Sequence, residues 1–159
     1  MNLEKNTGFK INVFMMITKG GIMMRKAVLV RGKDKVINSD YEPTFQVGMG
    51  ICSETVEKSN MIMSNIVIAP GGRNRRQYHV NCDSGVHVLK GRLKVSLGSN
   101  IDLKEDMVEE GDFIFIPKGI IHGLMNCSDT EQAEIIYCQG GIGHKNEAGT
   151  FYVESVLGK

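Results

Sequence analysis

Two histidines carry the most specific chemistry in this sequence, and the residues around each say how it is delivered. The run Gly111, five residues, Pro117-Lys118-Gly119, two residues, His122, three residues, Asn126 places a histidine directly after a chain reversal. Gly111-Asp112 makes a tight turn, Asp112 to Ile116 reads as a buried strand, and Pro117 with Gly119 reverses the chain. His122 then begins the next strand. A neutral imidazole in that position suits a first-row divalent metal, provided its second nitrogen is held by another group. The second histidine, His79, lies two residues after Gln77. Residues two apart on a strand face one side, so the two can converge on one ion. The Gln77 amide offers a neutral oxygen, weaker than imidazole for zinc or ferrous ions and acceptable to manganese or magnesium. Asp83 is the nearby carboxylate. Turned inward by a bulge it makes a set of His79, His122, Asp83 and Gln77, akin to two histidines and a carboxylate. If neither Asp83 nor Gln77 binds, two histidines hold a metal weakly and the site takes an organic ligand without one.

Such groups need a rigid frame, and the rest of the chain reads as antiparallel strands. Short apolar or alternating runs recur at Ala27 to Val30, Thr44 to Ile51, Met61 to Ala69, Arg76 to Val80, Gly85 to Lys90, Arg92 to Leu97, Asp112 to Ile116, His122 to Met125 and Ala133 to Gln139. Turn residues separate them, among them Pro70-Gly71-Gly72, Gly98-Ser99-Asn100 and Pro117-Lys118-Gly119. Only Glu54 to Asn60 has a helical option, and it reads equally as loop. Phe113 and Phe115 read as core. At 159 residues the chain has the size of one domain. Many short strands without a convincing helix predict an all-β sandwich or closed barrel.

The segment from Gly111 to Asn126 resembles the second cupin motif at every position. Gly71, five residues, Gln77, Tyr78, His79, four residues, Ser84, six residues, Gly91 has the spacing of the first. The chain is therefore identified as similar to small single-domain cupins, with the likeness running from about Met61 to Gln139. That resemblance implies a jelly-roll barrel and a divalent metal, with iron, manganese, zinc and nickel all open. In the family the first motif supplies two histidines and a glutamate; here Gln77 replaces the first histidine and Ser84 stands at the glutamate position. The division expected is residues 1–23 as an extension, 24–60 as N-terminal strands and arm, and 61–159 as the barrel with its tail. Lys19-Gly20-Gly21-Ile22 ahead of Met23-Met24 also fits translation starting at Met23 or Met24.

Further candidates lie near the site. Arg73 and Arg75 can grip a carboxylate in bidentate fashion at the barrel mouth, the plainer reading being a solvated loop face. Tyr78 and Tyr137 offer phenolic donors to a substrate, although buried tyrosines commonly serve packing. His87 reads as packing against the core or a dimer face, and His144 as part of a mobile glycine-rich loop. Nineteen basic against eighteen acidic residues, a net charge of +1, give no field for nucleic acid or an anionic membrane. Four dispersed cysteines without a CxxC pair read as reduced thiols in cytoplasm. Two functions remain open: a metal-dependent, dioxygenase-like enzyme acting on a small organic acid or carbonyl compound, and a ligand-binding module without turnover. The expected partners are a small molecule and, through exchanged N-terminal strands or packed outer sheets, a second copy in a homodimer.

Overall fold

The alternating runs become strands that stack face to face. A computed structural model describes residues 16–18, 21–23 and 27–153; the expectation for residues 1–23 falls largely outside them. Met16–Thr18 (β1) and Gly21–Met23 (β2) form a small antiparallel hairpin. Val36–Asn38 (β3), Phe45–Ile51 (β4), Met61–Ile68 (β5) and Gln77–His79 (β6) follow. Next come Asp83–Lys90 (β7), Arg92–Gly98 (β8), Leu103–Glu109 (β9) and Phe113–Ile116 (β10). Ile121–Asn126 (β11), Ala133–Gly140 (β12) and Thr150–Tyr152 (β13) complete the set. One sheet has the order β10-β7-β12-β5-β4-β3 and the other β13-β6-β11-β8-β9. Every pairing within them is antiparallel. This is the all-β jelly-roll expected from the sequence. β3 and β4 sit in one sheet with β5, so residues 36–51 are part of the barrel wall. No helix among the described residues is long and apolar enough to cross a membrane.

Between the sheets, alternate residues interdigitate. Ile68, Val86, Val88, Leu93, Val95, Ile116 and Ile135 are each at most 2 % exposed and form the centre of the core. Ile114 and Ile116 point inward, whereas Phe113 and Phe115 are 77 % and 69 % exposed, which corrects their assignment to the core. The period of two explains the difference: β10 covers only one face, and its phenylalanines stand on the other.

Other segments settle or alter what the sequence suggested. Ala27 to Val30 is extended chain outside any strand, with Val28 and Leu29 exposed, because β3 takes the edge of β4. Glu54 to Asn60 is a series of turns. β9 carried no apolar pattern because it is an edge strand, where Lys104, Glu105 and Asp106 guard an open ladder against another chain. The segment expected as a mobile loop closes into a 3-10 turn, Lys145–Ala148, whose capping box joins His144 and Glu147.

Candidate metal and ligand site

His79 and His122 come from neighbouring strands. β11 pairs with β6 so that His122 lies directly opposite Gln77, and His79 follows Gln77 on the same inward face. The Pro117-Lys118-Gly119 reversal ties the two elements, since the Gly119 N–H donates to the His79 carbonyl at 2.7 Å. Gly119 needs its φ of 83°, a conformation that an L side chain resists. The two imidazole rings end with centroids 5.1 Å apart. They border a cavity of about 580 Å³. Phe45, Val47 and Ile62 supply apolar wall, and Gln77, Tyr137 and Tyr41 add polar groups.

Hydrogen bonding fixes the state of His122. Its Nδ1 lies 3.0 Å from the Ile120 carbonyl, which only accepts, so Nδ1 carries the hydrogen and Nε2 of the neutral ring presents a lone pair. That Nε2 is buried and has no protein partner. Opposite it, Gln77 Oε1 is equally buried and equally unpartnered. Buried polar atoms seldom go unmatched; two acceptors on directly paired residues are satisfied by a cation that binds both, or by a half-turn of the Gln77 amide that brings its Nε2 to His122. His79 is more fully engaged. Its Nδ1 meets Thr150 Oγ1 at 2.9 Å and its Nε2 meets the Tyr137 hydroxyl at 3.2 Å. Tyr137 in turn donates to Ser84 Oγ at 3.0 Å. Burial lowers the pKa of both imidazoles, that of His79 to about 4 with His122 adding to the effect, so the rings are neutral. Burial raises Tyr137 and pushes Tyr41 up to about 12, so both remain phenols.

Of the residues singled out from sequence, the structure brings His79, His122, Gln77 and Tyr137 to one cavity and sends the others elsewhere. Asp83 is exposed on the outside of β7, where its carboxylate accepts from the Lys118 N–H at 2.9 Å. It braces the reversal before His122 and lies outside the cavity; its neighbour Ser84 is the inward residue. Arg75 is held by Glu42 at 2.8 Å and lies 3.9 Å over the Tyr152 ring. Arg73 lines a separate surface groove with Arg76 and Lys94. Tyr78 faces away from the cavity and stacks on Phe151 at 5.3 Å. These are corrections to the proposed substrate contacts, and strand alternation explains Tyr78: its neighbours Gln77 and His79 point in.

Three polar residues of the site were not anticipated. Tyr41 and Asn74 come from loops, where no periodicity announces an inward side chain, and Thr150 comes from β13, 71 residues beyond His79. Among the described residues no three His, Cys, Asp or Glu side chains converge as a metal cluster. Beside His122 Nε2, the Gln77 amide oxygen is the other buried side-chain donor atom left without a partner among the described residues. The His122 arrangement fits an ion, because a ligating imidazole ordinarily donates its other N–H to a carbonyl or carboxylate.

Comparison with known proteins agrees with this geometry. The family profile described as Cupin matches residues 36–144. A germin-like protein, subfamily 3 member 2, of Arabidopsis thaliana is 32 % identical over 80 residues, covering 50 % of this chain and 34 % of that protein. Oxalate oxidase GF-3.8 of Triticum aestivum is 29 % identical over 79 residues, covering 47 % and 35 %. The chain thus spans about a third of the length of these curated relatives. A solved oxalate oxidase superposes with a TM-score of 0.64 at 18 % identity, over 94 % of this chain and 74 % of that one. The oxalate decarboxylase of Lactobacillus farciminis gives 0.63 at 16 % identity, over 76 % and 34 %. Strand order, the paired motifs and the profile match lead to one assignment: the chain belongs to the cupin family.

Proposed function

We propose that this cupin binds a divalent metal through His79, His122 and Gln77, and presents it to a small organic anion in the cavity. The observation that supports it is the presence of two buried, unpartnered acceptors, His122 Nε2 and Gln77 Oε1, on directly paired residues. Two nitrogens and an amide oxygen are all neutral, so the bound ion keeps its full positive charge and favours an anionic chelator. Manganese(II) suits a mixed nitrogen and oxygen set; iron, zinc and nickel are the alternatives to test against it. When bound, the ion supplies Lewis-acid polarisation of a chelated carboxylate or carbonyl.

The chain's own groups do the rest. With the Tyr137 hydrogen on Ser84, His79 Nε2 carries its hydrogen toward the Tyr137 oxygen; the other tautomer, donating Nδ1–H to Thr150 Oγ1, would leave the Nε2 lone pair for a cation. Tyr137 keeps its proton and donates it to Ser84 Oγ, which holds the phenol oxygen at the cavity wall. Lys145 lines the cavity mouth, donates to Asn38 Oδ1 at 2.8 Å and pairs with Asp40 at 3.4 Å, which compensates its charge there. The four unbridged cysteines support the cytoplasmic setting read from the sequence.

A metal-dependent enzyme and a binding module share this site. Ser84 at the place of a carboxylate ligand favours the module, because no anionic protein donor tempers the ion. Oxalate, carried in the names of several relatives, is the first compound to try. Elemental analysis of untagged protein is expected to find about one transition metal per chain, lost in His79→Ala and His122→Ala. Turnover of oxalate in air that tracks metal content supports the enzyme; binding of oxalate without product supports the module. Wild-type protein that takes up no metal after loading sinks the proposal and leaves a metal-free ligand site.

A further inference from the structure

Tyr41 has a hydroxyl hydrogen that nothing in the described protein takes. Its oxygen accepts from Asn74 Nδ2 at 3.0 Å and from Gln77 Nε2 at 3.1 Å, which fills both lone pairs. Asn74 is fixed in that sense, because its Oδ1 accepts from the Leu124 N–H at 2.7 Å. Gln77 is not fixed. The far end of its amide, Oε1, has no partner. A half-turn of that amide exchanges its ends: Tyr41 then donates to Oε1, and Nε2 faces the cavity, where the bare nitrogen of His122 across the strand pair is an acceptor.

The two amide orientations put Tyr41 to different uses. With a cation on Oε1, Nε2 must face Tyr41, and the phenol hydrogen is released toward the cavity that Tyr41 lines. Without a cation, the turned amide satisfies both groups and withholds that hydrogen. We infer that Gln77 and Tyr41 couple two ligands in this cavity: a cation on Gln77 Oε1 and His122 frees the Tyr41 hydroxyl for an oxygen of a small anion, so that the two bind cooperatively. This rests on the metal reading above and assigns to Tyr41 the recognition of the anion. Linkage makes the effect reciprocal, each ligand tightening the other by one factor.

The test is calorimetric titration of oxalate into full-length protein, metal-free and loaded with stoichiometric manganese(II), in wild type, Tyr41→Phe and Gln77→Glu. Loaded wild type is expected to bind oxalate more tightly than metal-free protein. Tyr41→Phe should keep manganese affinity within about three-fold and bind oxalate roughly five- to ten-fold more weakly in the loaded form, the factor given by one ordinary hydrogen bond. In Gln77→Glu the carboxylate accepts the Tyr41 hydrogen whether or not metal is present. Manganese should then bind at least as tightly. The added carboxylate weakens oxalate by charge alone, so the coupling is read from Gln77→Glu combined with Tyr41→Phe, which should bind oxalate no more weakly than Gln77→Glu. Tyr41→Met is the substitute where Tyr41→Phe does not fold. Loaded wild type that ignores oxalate, or Tyr41→Phe that binds it like wild type, overturns the coupling and leaves the metal site standing. Wild type that takes no manganese removes the metal reading, and the coupling with it.

Discussion

A histidine held neutral in a buried cavity makes folding depend on pH in one direction. The His79 pKa is lowered to about 4 by burial and by His122, whereas an imidazole in the unfolded chain titrates near 6.5. Between those values the unfolded chain binds a proton that the fold refuses. Stability is therefore complete above about pH 6.5 and falls as pH drops toward about 4. Urea denaturation of chelated protein across that window should lose up to ~3 kcal/mol, and less in His79→Ala. A flat profile would mean that the ring is solvated. Asp83 gives the opposite kind of test, because it lies close to His79 in sequence and outside the cavity in space. Asp83→Ala should cost about 1 kcal/mol through the lost bond to the Lys118 N–H and leave metal content unchanged. Sequence spacing could suggest His79, His122 and Gln77 because strand alternation fixes which residues share a face. It could not separate Asp83 from Ser84, since one residue of phase decides which points inward.

At the level of elements, the reversal and the strand that follow one another from Gly111 to Asn126 act as one mounting for His122. Asn126 closes it. Its Nδ2 lies within 3.3 Å of the Ile68, Ala69 and Glu131 carbonyls, and its Oδ1 accepts from the Ser128 N–H. Asn126→Ala should leave these groups unmatched in a site that is 1 % exposed, costing on the order of 3 kcal/mol and roughly 10 °C in Tm by calorimetry. A loss under about 1 kcal/mol would show that water replaces the side chain. The strands that sequence made legible are the ones with one buried face, such as β5, β7 and β12, whose patterns alternate. β3 and β13 are three residues long and β9 is charged at an edge, so each owes its existence to a neighbour's ladder and not to its own pattern. Tyr41 and Asn74 were hidden for the same reason: loops carry no period.

Among the described residues, much of the outer face of the larger sheet is left open. Phe113, His87, Ile136, Asn65, Gly48 and Ile37 stand in register across all six strands of the larger sheet. Phe113 stacks on His87 with centroids 4.1 Å apart and remains 77 % exposed, as Phe115 does at 69 % and Ile37 at 62 %. Six strands make a face roughly 24 Å wide; β10 presents Phe113 and Phe115 and β3 presents Ile37, while the Lys35 side chain covers Gly48 between them. The exposed Phe113 and Phe115 are costly to leave in water, and a second copy placed back to back by a two-fold axis offers them an equal surface. We propose this pairing as the homodimer, with both cavity mouths left free because they belong to the inner side of the barrel. Light scattering on full-length protein at micromolar concentration should give twice the mass of one chain, and Phe113→Asp with Phe115→Asp should give a monomer that keeps its metal. Wild type running as a monomer would overturn the pairing; a dimer that survives both substitutions would move the contact elsewhere on the chain.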